Sequence, residues 1–238
     1  MQAVILAGGQ GTRLRPYTAV LPKPLMPIGD MPILEIVLRQ LRRAGFQDVT
    51  LAVSYLAEMM QAYCGDGSRF GLRIRYSREP GALSTAGPLK LVPGLDETFL
   101  VMNGDLLTTL DYGALVRFHR EHGAVATIAT HPRSVRIDYG VVETAADGTL
   151  AGYVEKPEYH YRVSMGINVL EPRALDHIRP GETLGMPDLM LRLREAGHRV
   201  MTCELPCLWL DIGRMDDYET ALEMFRTHRS EFLSDDGA

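Results

Sequence analysis

The sequence predicts an α/β fold: a doubly wound mixed sheet, mainly parallel, with a more antiparallel second half. Three observations point there. Short apolar runs alternate with amphipathic helical patterns as far as Pro132, the pattern of strands joined by crossover helices. Beyond Pro132, strand-like runs follow one another with little helix between them. And 46% of the 238 residues are hydrophobic, enough to cover such a sheet on both faces.

In chain order, residues 3–6 read as a buried strand that runs straight into glycines, and a long polar loop covers 8–30. Ile33, Ile36, Val37 and Leu41 share one face and predict a helix over 32–44, closed by Gly45 in the usual glycine position after a helix. A strand over 49–53, a short helix over 56–64 and an alternating strand over 72–76 follow. A buried strand over 98–102 ends in Asn103-Gly104-Asp105. A helix over 112–122 and a strand over 124–130 complete the alternation. Strand-like runs then cover 140–144, 152–155 and 163–170, and a helix over 187–196, a strand over 199–204 and a helix over 215–226 close the chain. Composition barely shifts along the chain, which predicts one domain over 1–229 and a frayed tail over 230–238.

Charge and cysteine content narrow the function classes. A formal net charge of -5 argues against a broad nucleic-acid-binding face. No run of 18 apolar residues exists, so no membrane span is expected. Met1 to Gly8 has no basic segment ahead of its apolar stretch, so no signal peptide is expected. Cys64, Cys203 and Cys207 form no CxxC pair and no even framework, which fits a reduced, cytoplasmic chain.

In doubly wound sheets ligands sit beyond the carboxyl ends of the strands. The loop after the first strand reads Gly8-Gly9-Gln10-Gly11-Thr12-Arg13-Leu14-Arg15-Pro16. Such glycines let backbone N–H groups approach a polyphosphate, although the same composition also suits a flexible turn with solvated arginines. Lys23 weighs against the turn, because Pro22 and Pro24 hold it in a defined extended segment. The loop is neither of the common phosphate motifs. The dinucleotide fingerprint fails at Leu14, which also excludes a nicotinamide-dependent oxidoreductase, and no Gly-Lys-Ser/Thr follows for a Walker loop. Asp105 and Asp211 each follow an apolar strand-like run. Alone, either is as well explained as a turn or helix-cap residue; together they suit a hard cation. His119 and His122 have an i, i+3 spacing that a metal could use, but on a helix rich in Arg and Glu they read as a solvated face.

The residues Leu6-Ala7-Gly8-Gly9-Gln10-Gly11-Thr12-Arg13-Leu14-Arg15-Pro16 and Pro22-Lys23-Pro24-Leu25-Met26-Pro27 together resemble the signature of the sugar-phosphate nucleotidyltransferases, the NDP-sugar pyrophosphorylases. The likeness continues in order through 65–71, Thr85-Ala86-Gly87, Asn103-Gly104-Asp105, Tyr139-Gly140, Glu155-Lys156-Pro157, Met165-Gly166-Ile167 and 209–213. The resemblance implies a Rossmann-like fold and a magnesium-dependent reaction of a sugar 1-phosphate with a nucleoside triphosphate, giving an NDP-sugar and pyrophosphate. It implies catalytic roles for Arg13, Lys23 and Asp105, and Mg2+ ligation by Asp105 and Asp211. Leu6, Ala7, Gly8, Gly9, Gly11, Thr12, Arg13, Lys23, Ser84, Thr85, Gly87 and Gly104 would line the nucleotide. Tyr139, Gly140, Glu155, Lys156, Ser164 and Gly166 would meet the sugar phosphate. A homo-oligomer is compatible with the family; nucleic-acid and membrane partners are not expected.

Two departures stand out. Ser164 occupies a position where the family often has Asn, and Ser84 one where it commonly has Gly. The chain also stops before the left-handed β-helix of longer relatives, so neither acetyltransferase activity nor that form of allosteric control is expected. A nucleotide-binding regulatory subunit would be expected to lose some of Arg13, Lys23, Asp105 and Asp211; all four are intact. The run Gly81-Ala82-Leu83-Ser84-Thr85-Ala86-Gly87 lacks the glutamine with which short bacterial thymidylyltransferases read a pyrimidine. It looks more like guanylyltransferases acting on mannose 1-phosphate or a heptose phosphate, so the expected nucleotide is GTP, with thymidylyl, uridylyl, cytidylyl and adenylyl transfer as the alternatives.

Overall fold

In the computed structural model, which describes residues 1–233, the chain is built on a seven-stranded sheet. Its strands are β1 (Gln2–Ala7), β4 (Asp48–Val53), β5 (Arg73–Arg78), β6 (Phe99–Asn103), β8 (Ala126–Arg136), β11 (Glu158–Leu170) and β12 (Val200–Glu204). The order is β12-β8-β11-β6-β1-β4-β5. β1, β4, β5 and β6 are mutually parallel, and so are β8 and β12; β11 alone runs antiparallel to both of its neighbours, β6 and β8. The sheet is therefore mainly parallel with an antiparallel insertion in its second half, as the pattern predicts.

The period of two along β1 explains the layers. Ala3, Ile5 and Ala7 face α1 (Ile33–Arg43), α2 (Ala57–Cys64) and α3 (Tyr112–Glu121) in one core; Val4 faces α4 (Met186–Glu195) in another. α5 (Met215–Phe232) closes a third cluster by placing Ala221, Phe225 and Phe232 against Ile33 and Ile36 of α1 and against Leu14, Met26 and Ile28 of the first long loop. That loop is anything but open. It holds three short 3₁₀ turns and the two-residue strands β2 (Pro27–Ile28) and β3 (Met31–Pro32), which pair with each other.

Two short strands fix the site. β7 (Leu106–Thr108) leaves β6 across Gly104-Asp105 and pairs antiparallel with β13 (Trp209–Asp211), setting Asp211 opposite Leu106. Farther out, β8 and β11 run past the sheet as a ribbon, joined at its end to the hairpin of β9 (Val141–Thr144) and β10 (Leu150–Val154).

Two expectations are corrected. His119 does not lie on a solvated face: it is buried, its ring nitrogens contacting Thr127 Oγ1 at 2.8 Å and Glu171 Oε1 at 3.0 Å. The polar neighbours on α3 concealed an inward position. The last helix runs past 226 and past the expected start of the frayed tail, since Phe232 is fully buried; of that tail, 234–238 lie outside the described residues.

Gln40 ties these parts together. Its buried amide donates to the Thr108 carbonyl at 2.8 Å and the Phe232 carbonyl at 3.2 Å, and its Oε1 accepts from Tyr112 at 3.3 Å. Replacing Gln40 by Ala removes the donor from two buried carbonyls and should destabilise the fold by about 2–3 kcal/mol, read as a lower urea midpoint at unchanged slope.

Candidate active site

The carboxyl ends of β1, β4, β5 and β6 open into one continuous groove. At its narrow end lies a cavity of about 240 Å³ lined by Leu6, Ala7, Gly9, Gly11, Thr12, Arg13, Lys23, Pro24, Gly104 and Asp105. Two glycines at this end of the groove are tightly placed. Gly11 has φ of 59°, and a Cβ on it would lie 3.0 Å from the Thr18 methyl; a Cβ on Gly104 would lie 3.1 Å from the Leu6 carbonyl oxygen. The first turn after the loop, Thr12–Leu14, buries Leu14 and leaves Arg13 exposed beside the cavity.

Lys23 is nearly buried and donates to Asp105 Oδ2. Pro22 and Pro24 flank it on a 3₁₀ turn, Lys23–Leu25, so the ammonium is delivered by a rigid segment. The other oxygen, Asp105 Oδ1, is buried with no hydrogen-bond partner among the described residues. Asp211 meets this group from the far side of the chain. Three contacts place it: the β7–β13 ladder, the Ile212 N–H donating to the Asp105 carbonyl at 3.2 Å, and the Trp209 indole donating to the Met165 carbonyl at 3.0 Å. Burial pushes the Asp211 carboxyl above its ordinary value, the neighbouring Asp105 charge adds to the rise, and Lys23 and Arg13 oppose it. Four residues far apart in sequence thus share one electrostatic environment.

The donor set fits magnesium. Two hard carboxylates, one presenting an unsatisfied buried oxygen, leave room for the water and phosphate oxygens this ion prefers. Among the described residues no cluster of three or more His, Cys, Asp or Glu could form an all-protein cage, so substrate oxygens would have to complete the shell.

On one side the groove widens to a cavity of about 520 Å³, whose lining includes Gly8, Gly9, Gln10, Ser54, Tyr55, Glu79, Ser84, Thr85 and Asn103. On the other it widens to about 510 Å³, lined in part by Asn103, Ser164, Gly166, Asn168, Met186 and Asp211. A bulge in β11 between Ser164 and Asn168, with Gly166 at φ of 72°, turns this segment into the cavity. Asn168 Oδ1 lies there buried and without a partner among the described residues.

Most of the residues singled out from sequence line this groove. Gly87 does not: it is buried behind the wall, donating to the Leu184 carbonyl at 3.1 Å, while Thr85 Oγ1 accepts from Met186 N–H at 2.7 Å to moor the loop on α4. Tyr139, Gly140, Glu155 and Lys156 also lie apart. They sit together at the junction of the β8–β11 ribbon and the β9–β10 hairpin, Tyr139, Glu155 and Lys156 exposed, and they line none of the three cavities. Sequence reasoning missed Glu79, Tyr55, Asn103 and Asn168. The rule that led to Asp105, a polar residue just beyond a strand, also marks Glu79 after β5.

The family model for nucleotidyl transferases matches residues 2–227. The chain belongs to that family. It is 39% identical over 242 residues to the UTP–glucose-1-phosphate uridylyltransferase of Synechocystis, covering 93% of this chain and 62% of that protein. It is 36% identical over 233 residues to the mannose-1-phosphate guanyltransferase beta-B of Xenopus laevis, covering 94% and 64%. The chain thus spans somewhat under two-thirds of the length of these relatives. A Bacillus anthracis protein crystallised with sucrose has the same fold, with a TM-score of 0.76 at 23% identity over 95% of both chains. HddC from Yersinia pseudotuberculosis complexed with GMP-PN matches with a TM-score of 0.70 at 25% identity, over 94% of this chain and 99% of that one.

Ser84 adopts φ of 65°, the left-handed region, where a non-glycine residue is strained by about 1 kcal/mol or more. This is the physical reason for a glycine at that position. Ser84→Gly should raise stability by about 0.5–1 kcal/mol, measured as a higher urea midpoint, because the relief of strain outweighs the added freedom of the unfolded chain.

Proposed function

We propose that this chain condenses a sugar 1-phosphate with a nucleoside triphosphate, GTP in the first instance, releasing pyrophosphate and an NDP-sugar. The observation that carries the reading is the convergence of Arg13, Lys23, Asp105 and Asp211 where the three cavities meet. The relatives named for sugar-1-phosphate uridylyl and guanylyl transfer support the reaction class. The HddC structure with GMP-PN supports guanine, as does the absence of a glutamine from the 81–87 loop.

In this reading the triphosphate lies in the narrow cavity against the backbone of Gly9, Gly11 and Thr12, with the base in the cavity beside Gly8 and Tyr55. The sugar occupies the cavity of Ser164, Gly166 and Asn168. An oxygen of the sugar phosphate forms a new bond to the α-phosphorus, and the bond from that phosphorus to the bridging oxygen breaks. The electron pair leaves with pyrophosphate, and no proton need move, since the nucleophile is already ionised. Arg13 balances charge on the departing pyrophosphate, and Lys23 steadies the phosphates at the reacting centre. Asp105 and Asp211 would hold Mg2+, which when bound supplies charge neutralisation between the two anions. The unpartnered Asn168 oxygen offers a sugar hydroxyl a buried acceptor.

Arg13→Ala and Lys23→Ala should each lower turnover by about 10²–10³-fold, the usual effect of removing a preorganised electrostatic donor. The check is pyrophosphate release across a matrix of triphosphates and sugar 1-phosphates; unchanged turnover in either purified variant contradicts the assignment. Excess chelator should abolish release and Mg2+ restore it. Asp105→Asn and Asp211→Asn should each raise the Mg2+ concentration needed for half-maximal rate, because a neutral amide is a poorer ligand.

A further inference from the structure

Away from the groove, the outer flank of α1 carries Glu35, Arg39, Arg42 and Arg43 along one side of the helix. With the 3₁₀ turn Ser68–Phe70 it encloses a cavity of about 570 Å³, lined by those four residues, Arg69 and Phe70. None of them lines the three cavities of the groove. The lining thus holds four guanidinium groups and one carboxylate, on a chain whose formal net charge is -5.

That carboxylate is already committed. Arg39 donates to Glu35 Oε1 through Nε at 3.1 Å and Nη2 at 2.7 Å, and the Tyr63 hydroxyl donates to Oε2. Burial pushes the Glu35 carboxyl up, but the hydrogen bonds from Tyr63 and Arg39 outweigh it and hold it below the ordinary value, so it stays ionised. Arg69 approaches Glu35 only to 3.8 Å. Its guanidinium lies 4.2 Å from the Tyr63 ring centroid and 4.4 Å from that of Phe70, a stacking that fixes its plane. Arg42 has no ion-pair partner among the described residues. It crosses Gly71 so closely that a Cβ there would lie 2.9 Å from Arg42 Nε. Arg42 and Arg69 therefore bring charge to the cavity that Glu35 does not neutralise, and they bring it from two different elements.

The lining limits what could sit there. Guanidinium groups only donate hydrogen bonds, and the acceptors of Glu35 are occupied, so a neutral sugar would find few partners for its hydroxyl protons. The cavity has the size of a small-molecule pocket, and it lacks the extended stripe of cations along which a nucleic acid would lie. Forks held in place by packing take oxyanions at little entropic cost. A phosphate ester carries close to two charges at neutral pH against one for a carboxylate, so it matches this excess better.

We propose that this cavity is a second anion site, separate from the groove, for a small molecule bearing two phosphate groups, one taken by Arg42 and the other by Arg69. The proposal is independent of the reaction assigned to the groove.

The test is calorimetric titration with propane-1,3-diyl bisphosphate, which has neither sugar nor base. Propyl phosphate and glutarate serve as the monophosphate and the dicarboxylate of similar length. The wild type should bind the bisphosphate at least about 10-fold more tightly than either comparator. Arg42→Ala and Arg69→Ala should each weaken binding by about 10–100-fold, the usual effect of losing charge-assisted hydrogen bonds, and Arg42→Lys should restore part of the loss. Both side chains are exposed, so the variants should keep the wild-type thermal midpoint, and Arg42→Ala should release pyrophosphate at the wild-type rate when no bisphosphate is present. Lys23→Ala should leave the titration unchanged. A wild type that does not bind the bisphosphate, equal affinity for glutarate, or undiminished binding in both alanine variants would overturn the proposal. So would a titration lost in Lys23→Ala and intact in Arg42→Ala, which would place the bisphosphate in the groove. None of these results bears on the transfer reaction itself, which the pyrophosphate-release matrix tests separately.

Discussion

Two carboxylates, Asp105 and Asp211, are held side by side at a partly buried point. Left alone they would repel each other and one would take up a proton. Lys23 and Arg13 oppose that. Much of the architecture serves this balance. β6 lies between β1 and β11 in the sheet and delivers Asp105 beside the glycine loop. The β7–β13 ladder brings Asp211 back over it from a point 106 residues later in the chain. The prolines around Lys23 fix its backbone, and the hydrogen bond to Asp105 holds the ammonium in the site. A cation bound between the carboxylates would relieve the repulsion, and the unsatisfied Asp105 oxygen stands ready to receive one.

Charge also divides the groove. The glycine loop with Arg13 and Lys23 is cationic and backbone-rich, suited to a polyphosphate. The side bounded by β5 carries Glu79 and shares Asp105, with no arginine or lysine in its lining. The third side is less charged, with Asn168 and Ser164 among Met165, Met186 and Met190, a wall that can take a sugar ring by its apolar face and its hydroxyls at once. Each part is placed by a different strand end, so the site follows from the strand order more than from any single loop.

Much of this is legible in the sequence, because it depends on local pattern. Alternating apolar runs mark β1, β4, β6 and the helices between them, and the glycine loop and the proline-flanked lysine are contiguous motifs. What stays hidden depends on distant contacts. The resemblance to the family leads one to expect Asp105 and Asp211 to meet, but local pattern does not encode it, because it requires the three-residue strand β13, too short to show a period. His119 reads as surface because its helix neighbours are charged, while Glu171 and Thr127, which satisfy it inside, lie elsewhere in the chain. Phe232 reads as tail because its partners, Phe225 and the carbonyl-capping Gln40, are invisible to local composition. The four residues of Tyr139-Gly140 and Glu155-Lys156 do come together, but at the root of a hairpin outside the cavities rather than in them. Only strand pairing, which no local pattern encodes, sets where that hairpin stands.

The central claim is that the site works by charge placement alone, with the sugar phosphate attacking the α-phosphorus directly. The lining of the narrow cavity contains no cysteine, serine or histidine, so no protein nucleophile of those types stands there. Exchange of labelled pyrophosphate into the triphosphate tests this directly. The account predicts no exchange when the enzyme holds triphosphate and magnesium alone, and rapid exchange once the NDP-sugar product is supplied. Exchange in the absence of any sugar phosphate or NDP-sugar would reveal a nucleotidylated enzyme and contradict it.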